Sequence, residues 1–100
     1  MKENMFNFLK YRTMKKFSVK IYIGNDVEEK IVSSKEEIVR VIKESEPGSA
    51  ITVKNDDNIT VLDADLVGFG KNITSLVVYK DKINLTEEEL GIKIEREEDE

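Results

Sequence analysis

Short runs in which apolar and polar residues alternate are the strongest constraint on how this chain folds. In the run Phe17 to Ile23 every second residue is apolar, and this period of two predicts a half-buried strand. The residues Gly24-Asn25-Asp26 that follow tolerate positive φ, so we expect a hairpin leading into a second strand from Val27 to Val32. Because the second strand is rich in charge, it is predicted to lie at an edge of the sheet.

A single helix is predicted after this hairpin. Ser34-Lys35-Glu36-Glu37 has the pattern of a capping box, in which the serine hydroxyl accepts from a free backbone amide and the second glutamate reaches back. Apolar residues spaced three and four apart then give the segment one apolar side. We expect the helix to begin at about residue 35 and to end near Glu46, because Pro47-Gly48 does not continue a helix.

Three further strands are predicted beyond the helix. Their last run, Leu76 to Tyr79, is apolar on both faces, which is typical of a strand inside a sheet. We therefore expect an α+β fold over residues 16–80: a small, mainly antiparallel sheet of about five strands in the order β-β-α-β-β-β, covered on one face by one helix. The three strands are expected at residues 51–54, at 59–62 with an extension or a bulge near 66–67, and at 73–79, separated by turns at 55–58 and 68–72.

Both ends of the chain have the composition of appendages. Residues 1–15 are a basic extension rich in Met and Phe, and we leave open whether this is a plain extension or an arm that contacts a protein, a membrane surface or a nucleic acid. Residues 81–100 are an acidic tail, in which Thr86 to Gly91 predicts a short helix from its capping threonine and terminating glycine. The alternation over residues 91–95 is compatible with a strand added to a sheet edge of this chain or of a partner.

The sequence contains no histidine and no cysteine. Imidazole and thiolate are the ligands of most zinc sites and the commonest base and soft nucleophile at neutral pH, so we expect no enzyme activity, no cofactor and no metal site. The lack of cysteine also leaves no disulfide framework. No apolar run approaches the roughly 18 residues of a membrane span, and we expect a cytoplasmic protein, located in the host cytoplasm if it is encoded by a phage.

Two local patterns resemble ligand-binding motifs, one for a divalent cation and one for a phosphate, but neither has the spacing or context that its motif requires. Asp56, Asp57, Asp63 and Asp65 are oxygen ligands that Ca²⁺ or Mg²⁺ would accept, but their spacing does not fit an EF-hand loop, and turn formation explains the first two; whether they bind a cation is left open. The glycines of Gly68-Phe69-Gly70 lead into a strand, whereas a phosphate-binding loop leads into a helix. The second pattern is therefore interpreted as a tight turn or bulge.

Charge is distributed unevenly along the chain, whose net charge is -5. Residues 1–16 contain five basic residues and one acidic residue, whereas residues 81–100 contain nine acidic and three basic residues. Nucleic-acid binding depends on basic residues that neutralise phosphates, so the body of this chain is not expected to bind nucleic acid directly. An acidic surface instead suits a basic protein partner.

We interpret the chain as a non-enzymatic, acidic protein-binding module. Its richness in Lys, Asn, Ile and Glu is typical of a short reading frame from a low-GC bacterium or its phage, so the expected target is a basic, nucleic-acid-handling host protein that the module inhibits, as an anti-defence factor does. The alternative is a self-assembling homodimer built by Met5, Phe6, Phe8 and the edge strand, with a small ligand held between the subunits. The expected partner-binding residues belong to the acidic tail and the charged edge strand: Glu87, Glu88, Glu89, Leu90, Ile92, Ile94, Glu97, Glu98, Glu28 and Glu29.

Overall fold

The computed structural model describes residues 16–97 of the chain. The predictions made for residues 1–15, among them the contact role of Met5, Phe6 and Phe8, lie outside this range, as does Glu98. The described residues form six strands and two helices: β1 (Phe17–Ile23), β2 (Asp26–Val32), α1 (Lys35–Glu44), β3 (Ala50–Lys54), β4 (Thr60–Phe69), β5 (Asn72–Asp81), α2 (Glu87–Leu90) and β6 (Lys93–Arg96).

All six strands belong to one sheet, in the order β2-β1-β3-β4-β5-β6. Neighbouring strands are antiparallel except for β5 and β6, which are parallel. The expected α+β fold with a mainly antiparallel sheet is confirmed, and so is the edge position of β2. The sheet has six strands where about five were expected, because residues 93–96 pair with β5.

The first hairpin turns at Gly24-Asn25, as expected, and Gly24 has a φ of 59°. A left-handed residue at this position matches the right-handed twist of the two strands that it joins. In β1, Val19 and Ile21 point towards the core and are 0% and 3% exposed. The predicted period of two is therefore a burial pattern, since the residues between them lie on the other face of the sheet.

Helix α1 begins at the predicted residue and ends two residues before the expected one. The Glu37 amide donates to the Ser34 hydroxyl at 3.2 Å, and the Glu37 carboxylate accepts from the Ser33 amide at 2.8 Å, one residue before the cap. The helix ends at Glu44 because Ser45 leaves the helical conformation while its hydroxyl donates to the Val41 carbonyl at 2.7 Å. Four residues of the apolar side are buried against the sheet: Ile38, Val39, Val41 and Ile42.

The long hairpin of β4 and β5 forms the other half of the sheet. The extension of β4 past residue 62 is confirmed, because the strand continues to Phe69 through two irregularities in its pairing with β5. One irregularity leaves Tyr79 without a direct partner, between Val78 and Lys80. A bulge of this kind inserts one extra residue into a strand, so the residues after it point to the opposite face from the one that simple alternation predicts.

The segment that follows β5 is held to the sheet by the buried carboxylate of Asp81. This side chain, 1% exposed, accepts hydrogen bonds from the backbone amides of Ile83, Asn84 and Leu85 at 2.8 to 2.9 Å. It also accepts from Arg96 of β6 at 3.1 Å. A single carboxylate thus fixes both the loop before α2 and the strand after it.

The predicted short helix is confirmed as α2, with both bonds of a capping box between Thr86 and Glu89 and a left-handed Gly91 at its end. Leu85 and Leu90 are each 2% exposed and belong to the same core as α1 and the sheet. The division of the chain at residue 80 therefore separates two segments that share one core. Within residues 16–97, no helix is long and apolar enough to cross a membrane.

Candidate protein-binding surface

Both helices lie on the same face of the sheet. The Lys35 ammonium joins them, because it is 3.1 Å from the Glu89 carboxylate and donates to the Asn84 carbonyl at 2.7 Å. No helix of the described residues covers the opposite face, which we call the open face. Residues of the strands that point away from the core lie on it.

The open face carries exposed apolar and aromatic side chains beside charged ones. An exposed apolar group on a pleated sheet is held rigidly by its strand, which lowers the entropy lost when a partner binds. Aromatic residues in such a setting are common at protein interfaces. Exposed side chains of this kind on the open face include Tyr22 (39%), Val27 (54%), Ile31 (63%), Val67 (44%) and Tyr79 (51%). Phe69, which ends β4 two residues after Val67, is 81% exposed.

Four carboxylates cluster on the half of the open face formed by β4, β5 and β6. We call Asp63, Asp65, Glu95 and Glu97 the acidic patch. In the strand register Asp65 lies opposite Val77, and Val77 lies opposite Glu95, so both carboxylates share one row across three strands. Asp63 precedes Asp65 by two residues in β4, and Glu97 follows Glu95 by two residues, directly after the end of β6. Side chains two residues apart point to the same face, because side chains alternate along a strand.

Tyr79 lies within this patch. Its hydroxyl donates to Asp65 Oδ2 at 2.7 Å. This hydrogen bond is the main cause that raises the pKa of Tyr79 above its ordinary value, and the negative charges of Asp65, Glu97 and Asp63 raise it further. The direction of the shift is that expected from a locally negative potential.

The acidic patch is not neutralised by ion pairs within the described residues. The two ion pairs found there join Lys35 to Glu89 and Arg96 to Asp81, and neither includes a carboxylate of the patch. Lys80 lies opposite Asp63 in the register, but no ion pair joins them at 4.0 Å or less within residues 16–97. Asp63, Glu95 and Glu97 are exposed, whereas Asp65 is partly buried and accepts from Tyr79.

Several of the contact residues predicted in the tail serve the fold itself. Leu90 is buried, while Ile92 and Ile94 are partly buried against the core. The Glu87 carboxylate accepts from the backbone amide of Ile94 at 2.9 Å, so it fixes the start of β6. These side chains have partners within the chain.

Glu89 is engaged in the same way. Its carboxylate accepts from the Thr86 amide at 2.8 Å and is paired with Lys35. Burial acts to raise the pKa of Glu89, but the hydrogen bonds from Lys35 and Thr86 outweigh it and the pKa is lowered. Glu89 is thus held as a charged link between the two helices.

The remaining predicted contact residues are exposed and lie at two distant edges. Glu88 and Glu97 are exposed at the β6 side, whereas Glu28 and Glu29 are exposed on β2. Five strand spacings of about 4.8 Å separate β2 from β6, so these groups are about 24 Å apart. A partner that contacted both groups would have to span the width of the sheet.

Sequence reasoning did not assign Asp63, Asp65 and Tyr79 to a contact surface. Asp63 and Asp65 have the outward parity of β4, and this was the available signal. Tyr79 has the same outward parity as Val77, and the bulge changes the phase of the alternation only from Lys80 onwards. Only the strand order brings these residues beside Glu95 and Glu97.

The carboxylates of the described residues do not form a metal centre, and the cleft beside two of them opens to solvent. No group of three or more carboxylates in residues 16–97 is placed to hold a metal ion, so Asp56, Asp57, Asp63 and Asp65 do not form one site. A cleft of about 390 Å³ lies at the turn between β3 and β4 and opens to solvent; it is lined by Phe17, Asn55, Asp56, Asp57, Val61, Lys82 and Ile83. Its two aspartates are exposed turn residues.

Three kinds of comparison bear on the relatives of this chain. No protein-family model, no curated protein and no solved structure matches it.

Proposed function

We propose that the protein is a non-enzymatic binding module that docks on a basic partner protein through the acidic patch of its open face. The observation that supports this most is a set of four carboxylates without ion-pair partners in the described residues, placed on a three-stranded surface around Tyr79. Complementary charge steers such a partner to the surface and fixes its orientation.

The patch differs from an ordinary solvated acidic surface in its composition. Exposed Val67 and Tyr79 lie beside the carboxylates, so a partner would bury apolar area as well as pair charges. The Tyr79 ring is oriented by its hydrogen bond to Asp65, which reduces the freedom lost on binding. Aromatic anchors surrounded by polar residues are typical of the energetic centre of an interface.

The spacing of the carboxylates favours a partner that handles nucleic acid. Asp63 and Asp65 lie along β4, while Glu95 lies on β6 and Glu97 directly follows it, so the two pairs are separated by two strand spacings or about 10 Å. Rows of negative charge can occupy a basic groove that otherwise holds phosphates. Inhibition of such a host protein, by a factor of phage or mobile-element origin, is the function that we propose for the module.

The test compares two triple variants with equal loss of charge. Asp63→Asn, Glu95→Gln and Glu97→Gln neutralise the patch and leave the Asp65 bond to Tyr79 in place. In the control, Asp56→Asn, Glu36→Gln and Glu44→Gln neutralise exposed carboxylates of a turn and of α1.

The tagged full-length chain is first used to isolate a partner from bacterial lysate, and affinity for the purified partner is then measured by calorimetry at several salt concentrations. We expect the patch variant to bind about tenfold more weakly and with a smaller salt dependence, and the control to bind as the wild type does. Equal affinities for the two triple variants, or a partner that is acidic, would contradict the proposal.

Deletion of the tail is not a suitable test. A chain that ends at Lys82 lacks the buried Leu85 and Leu90 and the Arg96 side chain that bonds Asp81. Lost binding would then report lost folding. A Glu28→Gln, Glu29→Gln variant instead tests whether the distant β2 edge contributes to the same interface.

A further inference from the structure

The β2 edge of the sheet has the pattern of a surface that pairs with itself. In the described residues β2 is hydrogen-bonded only to β1, and six of its seven residues are exposed. We propose that two copies of the chain join through their β2 strands, antiparallel about a two-fold axis at Glu29, into one continuous sheet of twelve strands. This association uses residues at the far side of the sheet from the acidic patch and does not depend on the proposed function.

The hairpin determines which backbone groups of β2 are free. A two-residue turn is closed by a hydrogen-bonded pair, here Ile23 and Asp26, and hydrogen-bonded pairs then alternate along the strands. The amide and carbonyl groups of Val27, Glu29 and Ile31 therefore point away from β1. Unpaired edge groups of this kind form a template for another strand.

A two-fold axis at Glu29 places these free groups in matching pairs. Val27 of each copy then lies opposite Ile31 of the other, and Glu29 lies opposite Glu29 of the second copy. All three pairs are hydrogen-bonding pairs, because the same three residues point outward in both copies. Val27 and Ile31, 54% and 63% exposed on the open face, would cover each other.

Charges on the helix side of the edge favour the same register. Glu28 lies opposite Lys30 of the second copy, twice, in the more closely spaced type of antiparallel pair. A shift of the axis by one residue in either direction keeps the hydrogen-bonding pattern but places Glu28 opposite Glu28, or Lys30 opposite Lys30. Like charges in directly opposite positions destabilise a sheet. An axis at Glu28 would still place Lys30 opposite Asp26, but it would place Val27 opposite Glu29, so the axis at Glu29 is selected by its apolar pairs together with its charges.

One like-charge pair remains in the chosen register, between the two copies of Glu29. Each carboxylate has local compensation, since it accepts from the Ser18 hydroxyl at 2.9 Å and lies opposite Lys20 in the hairpin. The pair occupies the wider type of antiparallel position. The repulsion between the two Glu29 carboxylates limits the affinity of the dimer, so replacing Glu29 with a neutral residue should strengthen association.

The experiment is sedimentation equilibrium of the full-length chain, with four variants at the edge and two controls. Glu28→Lys and Lys30→Glu each convert two attractive pairs into two repulsive pairs and should weaken dimerisation about tenfold. The double variant E28K/K30E exchanges the charges and should restore the wild-type dissociation constant. Glu29→Gln should strengthen dimerisation several-fold, because it removes the remaining repulsion.

The controls Lys43→Glu and Asp56→Lys reverse exposed charges on α1 and in the turn between β3 and β4, and they should leave dimerisation unchanged. Far-UV circular dichroism checks that each variant keeps its fold. A wild-type chain that stays monomeric up to about 1 mM would refute the dimer. Single variants without effect would exclude the β2 edge, and a double variant as weak as the single ones would exclude the register.

Discussion

The carboxylate of Asp81 offers the sharpest test of how the carboxyl-terminal segment is held. It is 1% exposed and accepts from three successive backbone amides and from Arg96. The same guanidinium also donates to the Leu85 carbonyl at 2.9 Å. Asp81→Ala removes the acceptor of the three backbone amides and of one Arg96 nitrogen, and it leaves the bond between Arg96 and the Leu85 carbonyl in place.

The expected loss of stability depends on which of these donors can form a hydrogen bond with water when the Asp81 carboxylate is absent. The amides of Ile83 and Leu85 are partly buried, whereas the Asn84 amide and the Arg96 guanidinium are exposed enough to be hydrated. A hydrogen bond to a charged group contributes about 1.5 to 3 kcal/mol. We count the two partly buried amides, and Asp81→Ala should lower the free energy of unfolding by about 3 kcal/mol.

Urea unfolding followed by far-UV circular dichroism measures this change, with Asp56→Ala as the matched control. Asp56 is an exposed turn residue, so its substitution should cost less than about 0.5 kcal/mol. Asp81→Asn keeps one acceptor oxygen and should fall between the control and Asp81→Ala. A loss below about 1 kcal/mol for Asp81→Ala would refute the view that this carboxylate holds the segment.

Three further predictions concern the core, a hairpin and the acidic patch. Leu90→Ala should destabilise the protein by about 3 kcal/mol, because it leaves a cavity where a 2% exposed side chain packs; a urea midpoint equal to that of the wild type would place Leu90 outside the core. Gly68→Ala should cost about 2 kcal/mol in the same measurement, because a Cβ at this position overlaps the backbone carbonyl oxygen of Asn72; unchanged stability would mean that the β4–β5 hairpin moves apart at little cost. Asp65→Asn should lower the pKa of Tyr79 towards its ordinary value, which ultraviolet absorbance of tyrosinate detects when a Tyr79→Phe chain is subtracted. Since the folded-state pKa of Tyr79 is raised, the hydrogen bond of Tyr79 contributes stability below about pH 10, and this contribution is lost as the pH rises through the folded-state pKa. If Asp65→Asn left the dependence of stability on pH unchanged in this range, Asp65 would not be the cause of the raised pKa.

Local patterns of the sequence determined where most elements begin and turn. The alternation in Phe17–Ile23, the capping box at Ser34 and the capping threonine at Thr86 each act within a few residues, and each is found as expected. The same locality explains the edge position of β2, because a strand with many charges cannot be buried on both sides.

Apart from the edge position of β2, tertiary structure decided the order of the strands and therefore which residues meet. Whether residues 91–95 would pair with this chain or with a partner was open in the sequence, because a short alternating segment fits either edge. The buried Asp81 and the two leucines at 85 and 90 make the pairing internal, by fixing the loop and helix that lead to β6.

The acidic patch also depends on the order of the strands. Asp65 and Glu95 are thirty positions apart, and they share a row only because β5 lies between their strands. The amino-acid pattern sets the face to which each side chain points, since alternation is a property of a single strand. Proximity across the sheet depends on hydrogen bonds between distant segments, which no local pattern encodes.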